Sequence, residues 1–251
     1  MLDILAGYGK AGLSVQVLCR TGLVMGVTEA NVRVALTRLT QQKKIRKSGR
    51  GWYVLDEEHH PLHGHIESWA TKDRDVRQWN GDWIAINDRD VERSARTPWT
   101  RHQRTMDLYG FKQFSPGLHI RPNNLLLSLE LVRDQLHQLG LAQEAQVFHA
   151  QGFSAAVDKV QRTLWPVAEL RETYRKQKEM LAQSTAELRE LPVEAAARES
   201  LLIGRSVIRQ ISQDPMLPKE LMCGDELRQL IDAMHEYQML ARSLWRQVLA
   251  D

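Results

Sequence analysis

The chain is nearly without cysteine: Cys19 and Cys223 are the only two among its 251 residues. Two thiols so far apart offer no disulfide framework, so burial and hydrogen bonding must hold the fold, and a reducing cytoplasm is the expected compartment. Long apolar runs are missing too. No stretch of about 18 apolar residues occurs, so no membrane-spanning helix is expected. The opening MLDILAGYGK lacks the basic, apolar and small-residue order of a secretion signal. Also absent are G-x-S-x-G, a phosphate-binding glycine-rich loop, H-E-x-x-H and any Cys/His pair at a telling spacing. No enzyme class is indicated, and no cofactor is expected. Acidic residues are scarce at the front. Residues 1–55 hold nine Lys/Arg against Asp3 and Glu29, a charge of +7, whereas the remainder holds 25 basic and 29 acidic residues, or −4. A basic head on a mildly acidic body is the electrostatic footprint of a nucleic-acid module joined to a different function.

The basic head is organised around residues 28–53, TEANVRVALTRLTQQKKIRKSGRGWY. Val32, Ala35, Leu36 and Leu39 recur at helical spacing and predict one amphipathic helix, capped by Thr28 and with Glu29 at the positive end of its dipole. The opposite face carries Ala30, Arg33, Val34, Thr37 and Gln41, with Arg38 at its border. Arg can pair with guanine, Gln with adenine, and small apolar side chains can meet a thymine methyl. Beyond the helix, Lys43, Lys44, Arg46 and Lys47 lead to Ser48-Gly49-Arg50-Gly51 and a strand-like Trp52-Tyr53-Val54-Leu55. Gly49 and Gly51 permit a hairpin turn, and Arg50 at its tip can reach a phosphate or the minor groove. Upstream, residues 3–8 read as the end of a short helix. Gly9 and Gly12 bracket a turn, and Ser14 caps a second helix through Val15, Val17, Leu18 and Leu23. Cys19 on that helix reads as a small buried apolar residue. Helix, short turn, helix and basic hairpin is the order of a winged helix-turn-helix. The expected DNA-binding residues are Thr28, Arg33, Thr37, Arg38, Gln41, Lys43, Lys47 and Arg50. The blander alternative is a helical hairpin with a solvated basic face.

Asp56-Glu57-Glu58 closes the basic region, and His59-His60-Pro61-Leu62-His63-Gly64-His65 then gathers four of the nine histidines. Imidazoles at that density can bind Zn²⁺ or Ni²⁺. No cysteine is near, however, the spacing fits no standard finger, and Pro61 and Gly64 mark a linker, so no metal is expected. Residues 66–155 read as a small α/β domain. Strands are expected at Ile84-Ala85-Ile86, on both sides of the Ser115-Pro116-Gly117 turn, and at residues 146–150; helices are expected at 99–109 and 125–139. Trp69, Trp79, Trp83 and Trp99 cluster in this region, as core or as the lining of a ligand pocket. From Ala155 the pattern is helical. Val157, Val160, Leu164, Val167, Leu170 and Tyr174 keep a period of three and four despite Pro166, and residues 195–211 form a further segment. In the last helix Leu227, Leu230, Met234, Tyr237, Ala241, Leu244 and Val248 trace a heptad seam, which suits an intramolecular bundle or a dimer face equally well.

GLSVQVL, VTEANVRVALTRL, RKSGRGWYVL, WNGDW, LYGFKQFSPGLHIRP and DPMLPKEL occur in that order. Together they resemble the PaaX family, the repressors of phenylacetic acid degradation operons. The resemblance runs nearly the full length and implies an α+β chain of three parts. These are an N-terminal winged helix-turn-helix over residues 1–58, a ferredoxin-like α/β domain over 79–152 after a linker at 59–78, and a C-terminal helical domain over 153–251. It further implies a homodimer on a palindromic double-stranded DNA operator, released by phenylacetyl-CoA or another acyl-CoA, with no membrane involved. Two departures are visible. The chain begins almost inside its first helix, and Ile84-Ala85-Ile86-Asn87-Asp88 replaces the expected apolar strand with Tyr-Asp. The competing class is a metal-dependent nuclease, since the middle domain also resembles that of small CRISPR-associated nucleases, which place an Asp after the first strand. Asp88 and Asp90 stand near that place, with solvated loop positions as the blander reading. A nonspecific architectural DNA binder is the third possibility.

Overall fold

The structure, a computed structural model, describes Leu2, Ile4, Leu5 and residues 12–56 and 68–250. The expected turn at Gly9 and the His59–His65 tract lie outside the described residues, as does most of the expected helix at 3–8. The chain is mixed α+β, with a three-stranded and a four-stranded antiparallel sheet. It gathers into two compact units, one of Met1–Ser68, Lys176–Arg209 and Leu230–Asp251, the other of Trp69–Arg175 and Gln210–Gln229. No helix among the described residues is long and apolar enough to cross a membrane.

In the first unit, strand β1 (Leu13–Ser14) runs into α1 (Val15–Val24), followed by α2 (Glu29–Gln41) and the hairpin β2 (Ile45–Gly49) and β3 (Trp52–Leu55). The helix starts are set by side chains that satisfy orphan backbone donors. Ser14 Oγ accepts from the Val17 N–H at 3.3 Å, and Thr28 Oγ1 from that of Asn31 at 3.4 Å. A Cβ on Gly22 would stand 2.3 Å from Val32 Cγ2, so the glycine is what lets α1 and α2 approach. Leu18, Cys19, Val32, Leu36, Ile45 and Leu55 close one core, with Leu201 packed against it. Cys19 is buried there as expected, and desolvation pushes its thiol up. Lys47 pairs with Tyr53 across the hairpin, a bulge follows between Lys47 and Gly49, and Gly51 takes φ +75° to turn the chain.

The second unit holds β4 (Trp83–Asn87), α3 (Arg96–Leu108), β5 (Lys112–Ser115), β6 (Leu118–Pro122), α4 (Leu129–Leu139) and β7 (Gln146–Ala150), with sheet order β5-β6-β4-β7. Central β4 is apolar on both faces because both are covered. Ile84 and Ile86 join Met106, Val132 and Leu136, while Trp83 and Ala85 join Trp79, Ile120 and Trp165. The tryptophans expected as one cluster are therefore divided. Trp83 stacks on Trp165 at 5.9 Å and meets the edge of Trp79 at 5.0 Å, whereas Trp99 lies over His102 at 5.2 Å. Three helix limits also differ from expectation, the helix expected over 99–109 spanning Arg96–Leu108. The helix expected from Leu125 begins at Leu129, because Ser128 caps it by accepting from the Leu131 N–H at 3.3 Å and Leu125 is drawn into a bridge with Val76. The period running through Pro166 is broken into α5 (Ala155–Gln161) and α6 (Val167–Glu187), since a proline has no N–H to continue a helix.

Two further helices complete the chain, α7 (Val193–Ser212) and α8 (Glu226–Ala250). The heptad seam of α8 is filled by the chain itself. Leu230, Met234, Tyr237 and Val248 are buried; Tyr237 Oη lies 2.8 Å from Ser184 Oγ, and Met234 sits over Gly204. Spacing of three and four suits a bundle or a dimer face alike, and at these four positions neighbours in the same chain supply the partner.

Motifs far apart in sequence meet in the second unit's polar core. Lys72 is buried and donates from Nζ to the carbonyls of Ile211, Ser212 and Asp214 at 3.1, 2.5 and 2.9 Å, closing the C-terminal end of α7. The Asp214 carboxylate accepts from Tyr174 Oη and, at 2.7 Å, from the Met216 N–H, holding Met216 at φ 51°. Arg121 is also buried and donates to the carbonyls of Tyr109 and Pro122 and to Asn124 Oδ1 at 2.5, 3.1 and 3.1 Å. Asn124 in turn donates to the Met216 carbonyl at 2.7 Å. Burial lowers Lys72 to about 8 and Arg121 to about 10, and it raises Asp214. Gly110 is required where it stands, because a Cβ there would meet Pro215 at 2.6 Å. The stretch around LYGF thereby packs on DPML.

Candidate nucleic-acid interface

Helix α2 buries Val32 and Leu36 against the core and packs against β2 on the same side. Its other face is exposed, and all eight residues expected to bind DNA stand exposed on α2, its caps or the hairpin. They divide into two groups. Thr28, Arg33 and Thr37 commit polar atoms to the helix itself. Thr28 is the N-cap; Arg33 donates from Nε and Nη2 to Glu29 Oε1 at 2.9 and 2.6 Å; the Thr37 hydroxyl donates to the Arg33 carbonyl at 3.1 Å. Arg38, Gln41, Lys43, Lys47 and Arg50 project with no side-chain partner among the described residues.

The Glu29–Arg33 tether was legible as an acid and a base four residues apart on one helix. Its consequence, an Arg33 held at the helix margin, needs the bond geometry. Lys43 carries a second feature that spacing does not reveal. It sits just past the C-cap at φ 54°, while the chain ends are tied by Lys43 N–H to Thr40 O at 3.0 Å and Lys44 N–H to Leu39 O at 2.9 Å. Glycine is the usual occupant of that left-handed position, and a lysine there costs about 1 kcal/mol.

In the second unit, Asp88 corrects the reading of a solvated loop residue: it is buried, whereas Asp90 is exposed. Asp88 Oδ2 lies 3.3 Å from His102 Nε2 and 3.2 Å from His119 Nε2. His102 Nδ1 accepts the Ala142 N–H at 3.1 Å, so Nε2 carries the ring proton and donates to Asp88. Burial lowers His119, with Asp88 opposing. A cleft of about 480 Å³ also opens in this unit, lined by Arg77, Gln78, Trp79, Lys219, Glu220 and Arg228 among others. Trp79 offers that cleft little free ring, since Trp83 meets it on one side and the Arg162 guanidinium lies 5.0 Å over it.

No protein-family model matches the sequence, and no curated protein does. Among solved structures the chain is similar to the uncharacterized protein Rv0674 from Mycobacterium tuberculosis, at 21% identity and a TM-score of 0.66, with 98% of this chain and 96% of that one covered. At that identity the likeness is one of fold.

Proposed function

We propose that the chain is a sequence-specific DNA-binding transcriptional regulator, read as an N-terminal winged helix, a ferredoxin-like middle domain and a helical C-terminal part. The observation that carries the reading is the division of α2: apolar stripe inside, and Arg38 and Gln41 outside, continued by Lys43, Lys47 and Arg50 on a basic hairpin. In this reading α2 enters the major groove and the hairpin holds the adjacent backbone. Two copies on half-sites roughly 34–36 Å apart make the operator palindromic.

Fluorescence anisotropy against duplexes selected from a random library tests the assignment. Arg38→Ala is expected to cost about 1–3 kcal/mol and relax sequence preference. Lys47→Ala and Arg50→Ala each weaken all duplexes alike and lower the log–log salt slope by about 0.9. Lys43→Gly gives a sharper signature: relief of the left-handed strain raises stability by up to about 1 kcal/mol, while affinity falls. Unchanged affinity across all four variants defeats the proposal.

By its resemblance to the PaaX family, the regulator is a repressor of an aromatic catabolic operon, released by phenylacetyl-CoA or another acyl-CoA. Arg77, Lys219 and Arg228 along the cleft are the kind of cations that pair with CoA phosphates. Such an effector must bind the DNA-free form more tightly than the DNA-bound one. Adding phenylacetyl-CoA to a preformed complex is therefore expected to release the duplex, while free phenylacetate is not. Retention of the duplex with every acyl-CoA tried rejects this class of effector.

A further inference from the structure

The DNA-binding reading assigned polar side chains, yet a central position on the outward face of α2 is apolar. Val34 is 67% exposed and lies roughly 200° around the helix from buried Val32, outside the core that the described residues build. A single exposed valine is unremarkable. Its row is not. Ala30 stands one turn before it, and Thr37 and Gln41 follow at three and seven residues, all exposed. The Thr37 hydroxyl proton is committed to the Arg33 carbonyl, and its methyl joins the exposed row. Arg33 is bonded to Glu29, on the side of the helix away from the valine. The row therefore presents methyl, branched methyls, methyl and then an amide. In a major groove only thymine offers a methyl to such a surface, and a terminal amide matches the adenine edge of the same kind of base pair.

We propose that Val34 is the specificity-determining residue of this helix, packing on the C5-methyl group of a thymine, with Gln41 on a neighbouring adenine. This rests on the DNA-binding reading above and narrows its half-site to one containing A·T pairs under the middle of α2. Removing one buried methyl from such a contact weakens binding about fourfold.

The test uses the full chain and the duplexes it selects from a random library, with each thymine replaced in turn by deoxyuridine, which deletes only that methyl. Wild type is expected to lose about fourfold at one or two positions per half-site. Val34→Ala is expected to bind the thymine duplex more weakly and to lose the distinction between thymine and uracil at those positions. If wild type tolerates uracil everywhere, or if Val34→Ala keeps the discrimination, the proposal is overturned while DNA binding stands. A library that returns no preferred sequence overturns both.

Discussion

Asp214→Ala is expected to destabilise the second unit by about 3–5 kcal/mol, the range for breaking a buried charged network by removing one member. Three groups lose their partner together. Tyr174 Oη and the Met216 N–H lose an acceptor inside the protein, and Lys72 loses the anion whose field favours its charge. Met216 then loses the bond to its N–H that supports its left-handed backbone, and Asn124, bonded to its carbonyl, is loosened with it. Lys72 continues to donate to backbone carbonyls at the end of α7, so its charge stays buried without the anion that favours it most. Asp214→Asn keeps an acceptor and is expected to be milder. Lys72→Met combined with Asp214→Ala removes both charges, and a double-mutant cycle by urea unfolding should return a coupling of about 1–3 kcal/mol. A loss below about 1 kcal/mol for Asp214→Ala would contradict the network.

Leu230→Glu is expected to be worse, at about 4–5 kcal/mol or beyond. Leu230 is wholly buried, and the substitution sets an unpaired carboxylate among apolar side chains. The expected product is unfolded or aggregated protein, seen as lost cooperative unfolding and as heavy material in sedimentation. Leu244→Glu, at a half-buried place on the same seam, is expected to cost about 1–2 kcal/mol and to stay folded. A soluble, fully folded Leu230→Glu variant would mean that the seam is not packed within its own chain. Because Leu230, Met234, Tyr237 and Val248 are buried within the chain, the proposed homodimer is expected to use another surface.

The head of the chain could be read in advance because its signals are local. A cap, a period and a turn each act over a few residues, and Ser14, Thr28 and Gly51 do what their chemistry predicts. Strand β4 was legible as an apolar run, though not which face each tryptophan takes. Helix limits failed where a second signal outranked the period: Ser128 over Leu125–Leu127, and Pro166 over the run from Val157 to Tyr174. At the candidate site, the exposed cations were evident from the helical period. The row through Val34 was legible too, whereas the tethered Arg33 and the strained Lys43 depend on bonds and torsions that composition does not carry.

Charge segregation, the amphipathic stripe of α2 and the basic hairpin follow from residue order alone, because each depends on neighbours within one or two turns of chain. The use of the α8 seam, the burial of Asp88 between two histidines and the joining of Lys72, Arg121 and Asp214 do not. Their partners lie tens to more than a hundred residues away, as Lys72 and Asp214 do, so nothing in the local pattern separates a buried charge with three hydrogen bonds from a solvated one. Long-range packing supplies the low dielectric that makes those groups partners, and so it assigns their roles.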